Sequence, residues 1–254
     1  MFANVVEIRA TFHEIGQAIR AGKLGVEPHR YPYALGLAHG VCQAIHCGYD
    51  SLVAVELGVA HGNGLMNLCR AAAYFRERFR FSIDVYGFDN AAGLPEPQGY
   101  KDHPEIWSKG DFARPDHEGV RVGLPEFGHL IIGDVGETVR AFEQTLGDRH
   151  LAFVSVDLDY YSSTKRAMPL FQFAPERYIP ALPVYFDDVR GLISMNPWCG
   201  EELAISEFNA ENEMRKIARK DYGVHPQFYI CHVLDHPIRQ GTIKPKFSFE
   251  IWPF

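Results

Sequence analysis

The stretch SLVAVELGVAHGNG, residues 51–64, decides how this chain folds. Residues 51–57 are apolar apart from Ser51 and Glu56, and short for a helix, so they predict a strand covered on both faces. Gly58, Gly62 and Gly64 follow in the spacing G-x-x-x-G-x-G. Glycines allow a tight turn and a close approach of a ligand to the backbone. A helix from about Gly64 to Arg76 would open there, with its first N–H groups free. The spacing is neither the dinucleotide G-x-G-x-x-G nor the phosphate-binding G-x-x-x-x-G-K-[ST].

The same alternation extends in both directions. Helices are predicted over 4–21, 33–47, 136–146, 161–172 and 200–220, and strands over 82–88, 128–133, 151–157 and 179–187. Pro180 and Pro183 make the last of these a poorer strand. A Pro/Gly-rich connection runs from Ala91 to about Phe127. Strands at 226–233 and 246–252, joined by a turn at Pro237–Gly241 without a helix, predict a C-terminal antiparallel hairpin. Apolar strands alternating with helices mean an α/β fold with a mostly parallel sheet and helices on both faces. No repeat or linker divides the chain, so residues 1–254 read as a single domain, with 1–48 as an N-terminal helical cap.

Composition narrows the function. The chain has 254 residues, 46% of them hydrophobic, and a net charge of −7. That mix excludes a disordered class, and the acidic balance disfavours nucleic acid or an anionic membrane as partner. Cys42, Cys47, Cys69, Cys199 and Cys231 are scattered and form no C-x-x-C pair, so a reducing cytoplasm is expected. The N-terminal MFANVVEIRATFHEIG lacks the pattern of a signal peptide. The uncharged run Tyr31–Tyr49 contains His39, Gln43 and His46, too polar for a membrane span. No H-E-x-x-H metal motif and no G-x-S-x-G elbow occurs.

In open α/β sheets ligands sit outside the carboxyl ends of the strands. Strand two ends at Asp89, an acid placed to accept from the hydroxyls of a ribose. Strand four ends in Asp157 and Asp159, and strand five in Asp187 and Asp188. Two carboxylates about 4 Å apart repel by about 4 kcal/mol at an effective dielectric of 20. Such a cluster calls for a cation or a shared proton, and oxygen ligands favour Mg²⁺, Ca²⁺ or Mn²⁺ over zinc. The alternatives are an ordinary helix cap at Asp157 and a turn at Asp187–Asp188. Ser162, Ser163 and Thr164 read as caps of the following helix. Trp107 and Phe112 read either as covers of the site or as a satellite core, and His61 either as a contact to substrate or cofactor or as a loop residue with backbone contacts alone. Glu201, Glu202, Glu207, Glu211 and Glu213 read as a mostly solvated helix face, from which Glu201 or Glu202 could reach the pocket.

Six segments taken in order carry a family resemblance: VELGVAHGNG (55–64), YGFDNAAGLP (86–95), WSKGDF (107–112), GDVGETV (133–139), VDLDYYSST (156–164) and FDDV (186–189). The chain resembles class I S-adenosylmethionine-dependent methyltransferases and is similar to the macrocin O-methyltransferase family, which methylates sugar hydroxyls of macrolide antibiotics with Mg²⁺. The resemblance spans about residues 50–215. It implies a Rossmann-like fold with a seven-stranded sheet, and S-adenosylmethionine and Mg²⁺ as cofactors. It implies that Glu56, Gly58, Gly62 and Gly64 line the cofactor loop, that Asp89 holds the ribose and that Asp134 lies near the adenine. Asp157 or Asp159, with Asp187 and Asp188, would hold the metal, and Asp157 or Asp159 would act as base. The family's Gly-rich turn before the last parallel strand is replaced here by ERYIPALP (176–183), and its Asp-Asp-Tyr ending carries Val189 in place of the tyrosine. The acceptor expected is a small molecule, a sugar or other vicinal diol, and a homodimer is compatible with the sequence. The competing readings are a non-methylating tailoring enzyme and a cofactor-binding protein on the same scaffold.

Overall fold

The computed structural model describes residues 5–114, 117–220 and 227–246. The strand that opens the deciding stretch, β1 (Ser51–Leu57), lies inside a seven-stranded sheet and is buried along almost its whole length. It pairs in parallel with β2 (Ser82–Asp89) on one side and β4 (His150–Val156) on the other. Beyond β2 lies β3 (Gly128–Ile132), and beyond β4 lies β5 (Ala181–Phe186), both parallel. The sheet ends in β7 (Phe228–Val233) and β6 (Arg215–Arg219), giving the order β3-β2-β1-β4-β5-β7-β6. β7 is antiparallel to both β5 and β6. The order reverses between β1 and β4, and this crevice is where open α/β sheets bind ligands.

Helices cover both faces. On one side lie α1 (Val5–Arg20), α2 (Tyr31–Cys47) and α3 (Asn63–Phe79). On the other lie α5 (Val135–Leu146), α6 (Tyr161–Ala167) and α7 (Gly200–Glu211), while the short α4 (His117–Gly123) lies beside β3. The segment expected as an N-terminal cap has two parts with different roles. α2 is buried along nearly its whole length and packs on β4 and β5. Gly36 and Gly40, one turn apart, let it approach β4: a Cβ at Gly36 would overlap the Phe153 ring, and one at Gly40 the Ala152 carbonyl. The Gln43 amide donates to the Ala181 carbonyl (2.7 Å) and accepts from its N–H (3.1 Å), anchoring β5 just after Pro180. The start of the same helix, at Arg30 and Tyr33, reaches the sheet's carboxyl edge.

The predicted elements depart from the structure in five places. The helix predicted over 200–220 ends at Glu211, where the Asn212 side chain and backbone N–H both donate to the Phe208 carbonyl. Residues 215–219 are instead the edge strand β6, tied to α7 by Asn209, whose amide bonds both the N–H and the carbonyl of Ile217. β6 hides because it buries one face only, at Arg215 and Ile217, and otherwise reads as a charged helix surface. β7 realises the strand predicted at 226–233 but pairs with β5 and β6; the strand predicted at 246–252 lies almost entirely outside the described residues. The helix predicted over 161–172 gives way after Ala167 to a 3₁₀ turn, Met168–Phe171, because Pro169 has no N–H to continue it. α4 and a 3₁₀ turn at Tyr100–Asp102 lie within the connection read as irregular. Ser162, Ser163 and Thr164 make no cap of their own. Asp102, sixty residues upstream in sequence and fully buried, accepts from the Ser162 N–H (2.7 Å) and hydroxyl (2.8 Å) and pins the long connection to the start of α6. Among the described residues no helix is long and apolar enough to cross a membrane.

Candidate active site

One cavity of about 710 Å³ opens along the carboxyl ends of β1, β2, β4 and β5. Glu56, Gly58, Gly64, Asp89, Asp134, Asp157, Asp159, Asp187 and Asp188, all singled out from sequence, contribute to its wall. It has two halves, a glycine cradle and an acidic rim.

Backbone sterics build the cradle. Gly58 has φ +84°, and a Cβ there would overlap the Asp157 carbonyl oxygen, so only glycine lets the ends of β1 and β4 approach this closely. Its N–H donates to the Phe88 carbonyl (2.9 Å), and the Asp157 N–H donates to that of Leu57 (2.9 Å). Gly62, also at φ +84°, is the N-cap of α3. Gly64 sits on the buried Glu56, and a side chain there would strike Oε1. Glu56 Oε1 accepts from the Tyr33 hydroxyl (2.8 Å), while Oε2 is buried without a partner. Burial, with Asp157 and Asp89 nearby, pushes the Glu56 carboxyl up to about 8 against the opposing Tyr33 hydrogen bond and Arg30.

Asp89 clamps the loop. Its Oδ2 accepts from the N–H groups of Val59 (2.9 Å) and Ala60 (2.8 Å), and its Oδ1 from that of Ala91 (2.7 Å). A carboxylate offers about four acceptor positions, so about one stays open toward the cavity. Asp134 is the N-cap of α5, accepting from Gly136 N–H (2.9 Å) and Glu137 N–H (3.3 Å), and it ion-pairs with Arg166.

At the rim, the carboxylates of Asp157, Asp159 and Asp188 each place an oxygen within 4.8 Å of the others. The resemblance implied Asp157 or Asp159 with Asp187 and Asp188; the group brings both Asp157 and Asp159 to Asp188, and Asp187 is not among the three. The Asp187 carboxylate accepts from the Tyr185 hydroxyl (2.6 Å), and the Gln227 amide donates to its carbonyl. Asp159 joins the group through a left-handed backbone (φ +58°), with Tyr160 N–H turning back to the Leu158 carbonyl (2.5 Å). A non-glycine residue in that region costs about 1–3 kcal/mol, a strain typical of functional sites. Burial, then Asp187 and Asp159, push the Asp157 carboxyl up to about 8. Burial, then Asp187 and Asp111, push that of Asp159 up to about 7. Asp188 lies well above the usual range through burial and its acidic neighbours, and its buried Oδ2 has no partner. Arg30 ion-pairs with Asp157, its Nη1 lying 3.6 Å from Oδ2.

Three further residues shape this edge. Arg30 and Tyr33 come from the start of α2, ahead of the first motif. Their signal in the sequence is a cation and a tyrosine heading an otherwise uncharged run. Glu201, one of the two glutamates on the mostly solvated helix face that could reach the pocket, is fully buried beneath the rim. Nothing in its spacing separates it from the half-buried Glu202 and Glu207 or from the exposed Glu211 and Glu213 that follow. Trp107 both lines the cavity and packs with Leu94 and Tyr160 in a satellite core, Phe112 lines the cavity half exposed, and His61 lines it while its carbonyl accepts from Arg114 (2.7 Å).

No protein-family model matches the chain, and no curated protein matches it. Solved structures do. A crystal structure of CalS11, a calicheamicin methyltransferase, superposes with a TM-score of 0.59 at 17% identity, over 91% of this chain and 94% of that one. An apo structure of CalS11, described as a TDP-rhamnose 3'-O-methyltransferase, gives 0.50 at 17% identity, over 91% and 96%. The O-methyltransferase NovP gives 0.56 at 17% identity, over 80% and 78%. The chain therefore has the Rossmann-like fold of class I methyltransferases.

Proposed function

We propose that this chain is an S-adenosylmethionine-dependent O-methyltransferase that methylates a hydroxyl of a sugar or other vicinal-diol small molecule with the help of a divalent cation. The observation that carries the reading is one cavity joining the glycine cradle to the trio Asp157, Asp159 and Asp188. The O-methyltransferase names of CalS11 and NovP support it.

S-adenosylmethionine brings a methyl group already activated on a sulfonium, so the protein's task is orientation. The Gly58–Gly64 loop would take the cofactor along its backbone, with the open acceptor position of Asp89 toward the ribose and Asp134 at the adenine end. The rim fits a hard cation. Its donors are all carboxylate oxygens, and the buried Oδ2 of Asp188 has no protein partner. Mg²⁺ held there would stabilise the ionised form of an acceptor hydroxyl. Asp157 or Asp159 takes the hydroxyl proton. Burial and the neighbouring acids raise both carboxyls in the metal-free chain, and a cation held at the rim would lower them again and keep the base ionised. A diol would fit the rim because two neighbouring oxygens can meet one cation. Leu94, Trp107, Leu192 and Met195 wall the cavity with apolar surface that excludes water from the transfer.

The test measures S-adenosylmethionine binding by calorimetry and S-adenosylhomocysteine formation with a panel of glycosides and diols. The expected result is cofactor binding with or without Mg²⁺, and turnover that EDTA abolishes and Mg²⁺ restores. Absence of cofactor binding overturns the methyltransferase reading. Turnover indifferent to EDTA overturns the metal role alone.

A further inference from the structure

Glu201 is fully buried at the start of α7, although it carries a carboxylate and faces a group of others. Its two oxygens are divided between two strand ends. Oε1 accepts from the Leu158 N–H (3.3 Å), and Oε2 from the Asp188 N–H (3.1 Å). Leu158 stands between Asp157 and Asp159, and the other amide belongs to Asp188 itself. One side chain thus grips the backbone beside every member of the trio. The β4 and β5 ladder stops short of this point, since its last pair is Val156 with Phe186. Beyond that pair Glu201 links the two acid-bearing loops. Glu201 itself stands in the first turn of α7, so the helix fixes the bridge from one end.

We propose that Glu201 is a positioning residue that sets the spacing of Asp157, Asp159 and Asp188 by bridging the Leu158 and Asp188 amides. The claim rests on the metal-assisted reading above and deepens it. Glu201 does not touch the acceptor or the cation; it fixes the carboxylates that do. The surrounding groups sharpen the requirement. Asp157, Asp159, Asp187 and Asp188 all face the same region, and Arg30 is the cation paired with Asp157. Mutually repelling carboxylates separate unless their backbone is held.

The test compares wild-type protein with Glu201→Gln and Glu201→Asp. Mn²⁺ serves as the metal probe, read by electron paramagnetic resonance, and cofactor affinity is read by calorimetry. The side-chain amide introduced by Glu201→Gln offers one acceptor oxygen in place of two, and the shorter carboxylate of Glu201→Asp lacks the methylene needed to reach both N–H groups. Removing a group that orients metal ligands weakens metal binding by about 10–100-fold. That loss is expected for Glu201→Gln, with S-adenosylmethionine affinity within about threefold of wild type because the cradle is built from other elements. Glu201→Asp should fall between the two. Mn²⁺ affinity within twofold of wild type in a folded variant overturns the proposal.

Hydrogen exchange on the wild-type protein covers the case of variants that do not fold. The Leu158 and Asp188 amides should exchange slowly, with matching protection that Mg²⁺ increases. Exchange at free-chain rates overturns the bridge. If wild type turns over without binding Mn²⁺, the metal role fails separately, and Glu201 is judged by a fall in kcat at unchanged KM for the cofactor. If it neither binds Mn²⁺ nor transfers methyl, the positioning claim falls together with the function.

Discussion

The two halves of the cavity differ in how their backbone is held, although each keeps one buried carboxylate oxygen without a partner, Oε2 of Glu56 and Oδ2 of Asp188. In the cradle, Asp89 gathers three backbone N–H groups, and Gly58 and Gly62 close the loop with hydrogen bonds to Phe88 and Val59. These hydrogen bonds hold the loop without any contact to a ligand. At the rim, Asp188 leaves a buried oxygen unpaired, Asp159 holds a left-handed backbone, and Asp157 lies too far from Arg30 for a short hydrogen bond. The cradle loop has its amides satisfied within the fold, whereas the buried Glu56 beneath it and the rim acids are held against the cost of burial. A preformed cofactor site beside an under-neutralised acidic site is the arrangement expected when the second region is completed by a cation and an acceptor.

The two halves meet at Gly58, where the sharpest test lies. Gly58→Val would place a branched side chain at φ +84° and against the Asp157 carbonyl. Backbone strain and the overlap should together cost about 3 kcal/mol or more, with loss of cofactor binding and turnover alike. Asp157→Asn should separate the halves instead. Losing a general base costs about 10²–10⁴-fold in rate, while cofactor affinity should stay within about threefold. Calorimetry, urea melts and S-adenosylhomocysteine release read all three quantities. Equal loss of cofactor affinity in both variants would show that the halves are one unit.

The same contrast explains what the sequence made legible. The cradle was readable because glycine at fixed spacing after an apolar strand has few structural meanings, and Asp89 closes the next strand in register with it. The sheet was readable up to β5 because β1, β2, β4 and β5 carry buried apolar runs. β6 was not, since an edge strand with Ile217 as its one large apolar residue has the composition of a helix surface. The rim was legible as a set of acids but not as an arrangement. Which carboxylate turns inward depends on the Tyr185 hydroxyl taking Asp187 and on the turn at Asp159, neither of which spacing reveals. Glu201 was legible only as one of two glutamates that could reach the pocket: its full burial comes from the packing of α7 on the strand ends, while Glu202 beside it stays partly exposed and pairs with Arg219. Asp102, acting across sixty residues to cap α6, leaves no local pattern at all.

The buried acids also predict a pH dependence, carried at the rim by Asp157 and Asp159 and beneath the cradle by Glu56, whose carboxyl is pushed up to about 8. Asp157 and Asp159, at about 8 and about 7 in the folded chain, have unfolded values near about 3.9. Folded carboxyls with raised pKa bind more protons than unfolded ones between these limits. Stability is therefore fullest below about pH 4 for these groups and is lost as pH rises toward about 8. Asp157 keeps 24% of its side chain in solvent, so the slope is shallower than its pKa alone implies. The metal-free protein should melt several degrees lower at about pH 8 than at about pH 5. Mg²⁺ should restore part of the loss by binding the folded state, and Asp157→Asn should flatten the profile. A melting temperature that rises over this range, or one unaffected by Mg²⁺ at the upper end, would place the unpaired charge elsewhere.

The smallest expected effect probes whether the cradle depends on charge at all. Arg166, on α6, pairs with Asp134 at the far end of the cavity, and both side chains are substantially exposed, at 51% and 41%. Exposed pairs contribute about 0–1 kcal/mol. Asp134 also keeps its cap on α5 through the Gly136 and Glu137 amides when the arginine is removed. Arg166→Ala should therefore change stability by less than about 1 kcal/mol and cofactor affinity by less than about threefold. Asp134→Ala should cost about 1 kcal/mol through the lost cap. If Arg166→Ala weakened S-adenosylmethionine tenfold, α6 would belong to the cradle, and the division between a backbone-built half and a charge-built half would move from β1 and β4 to the helix layer behind them.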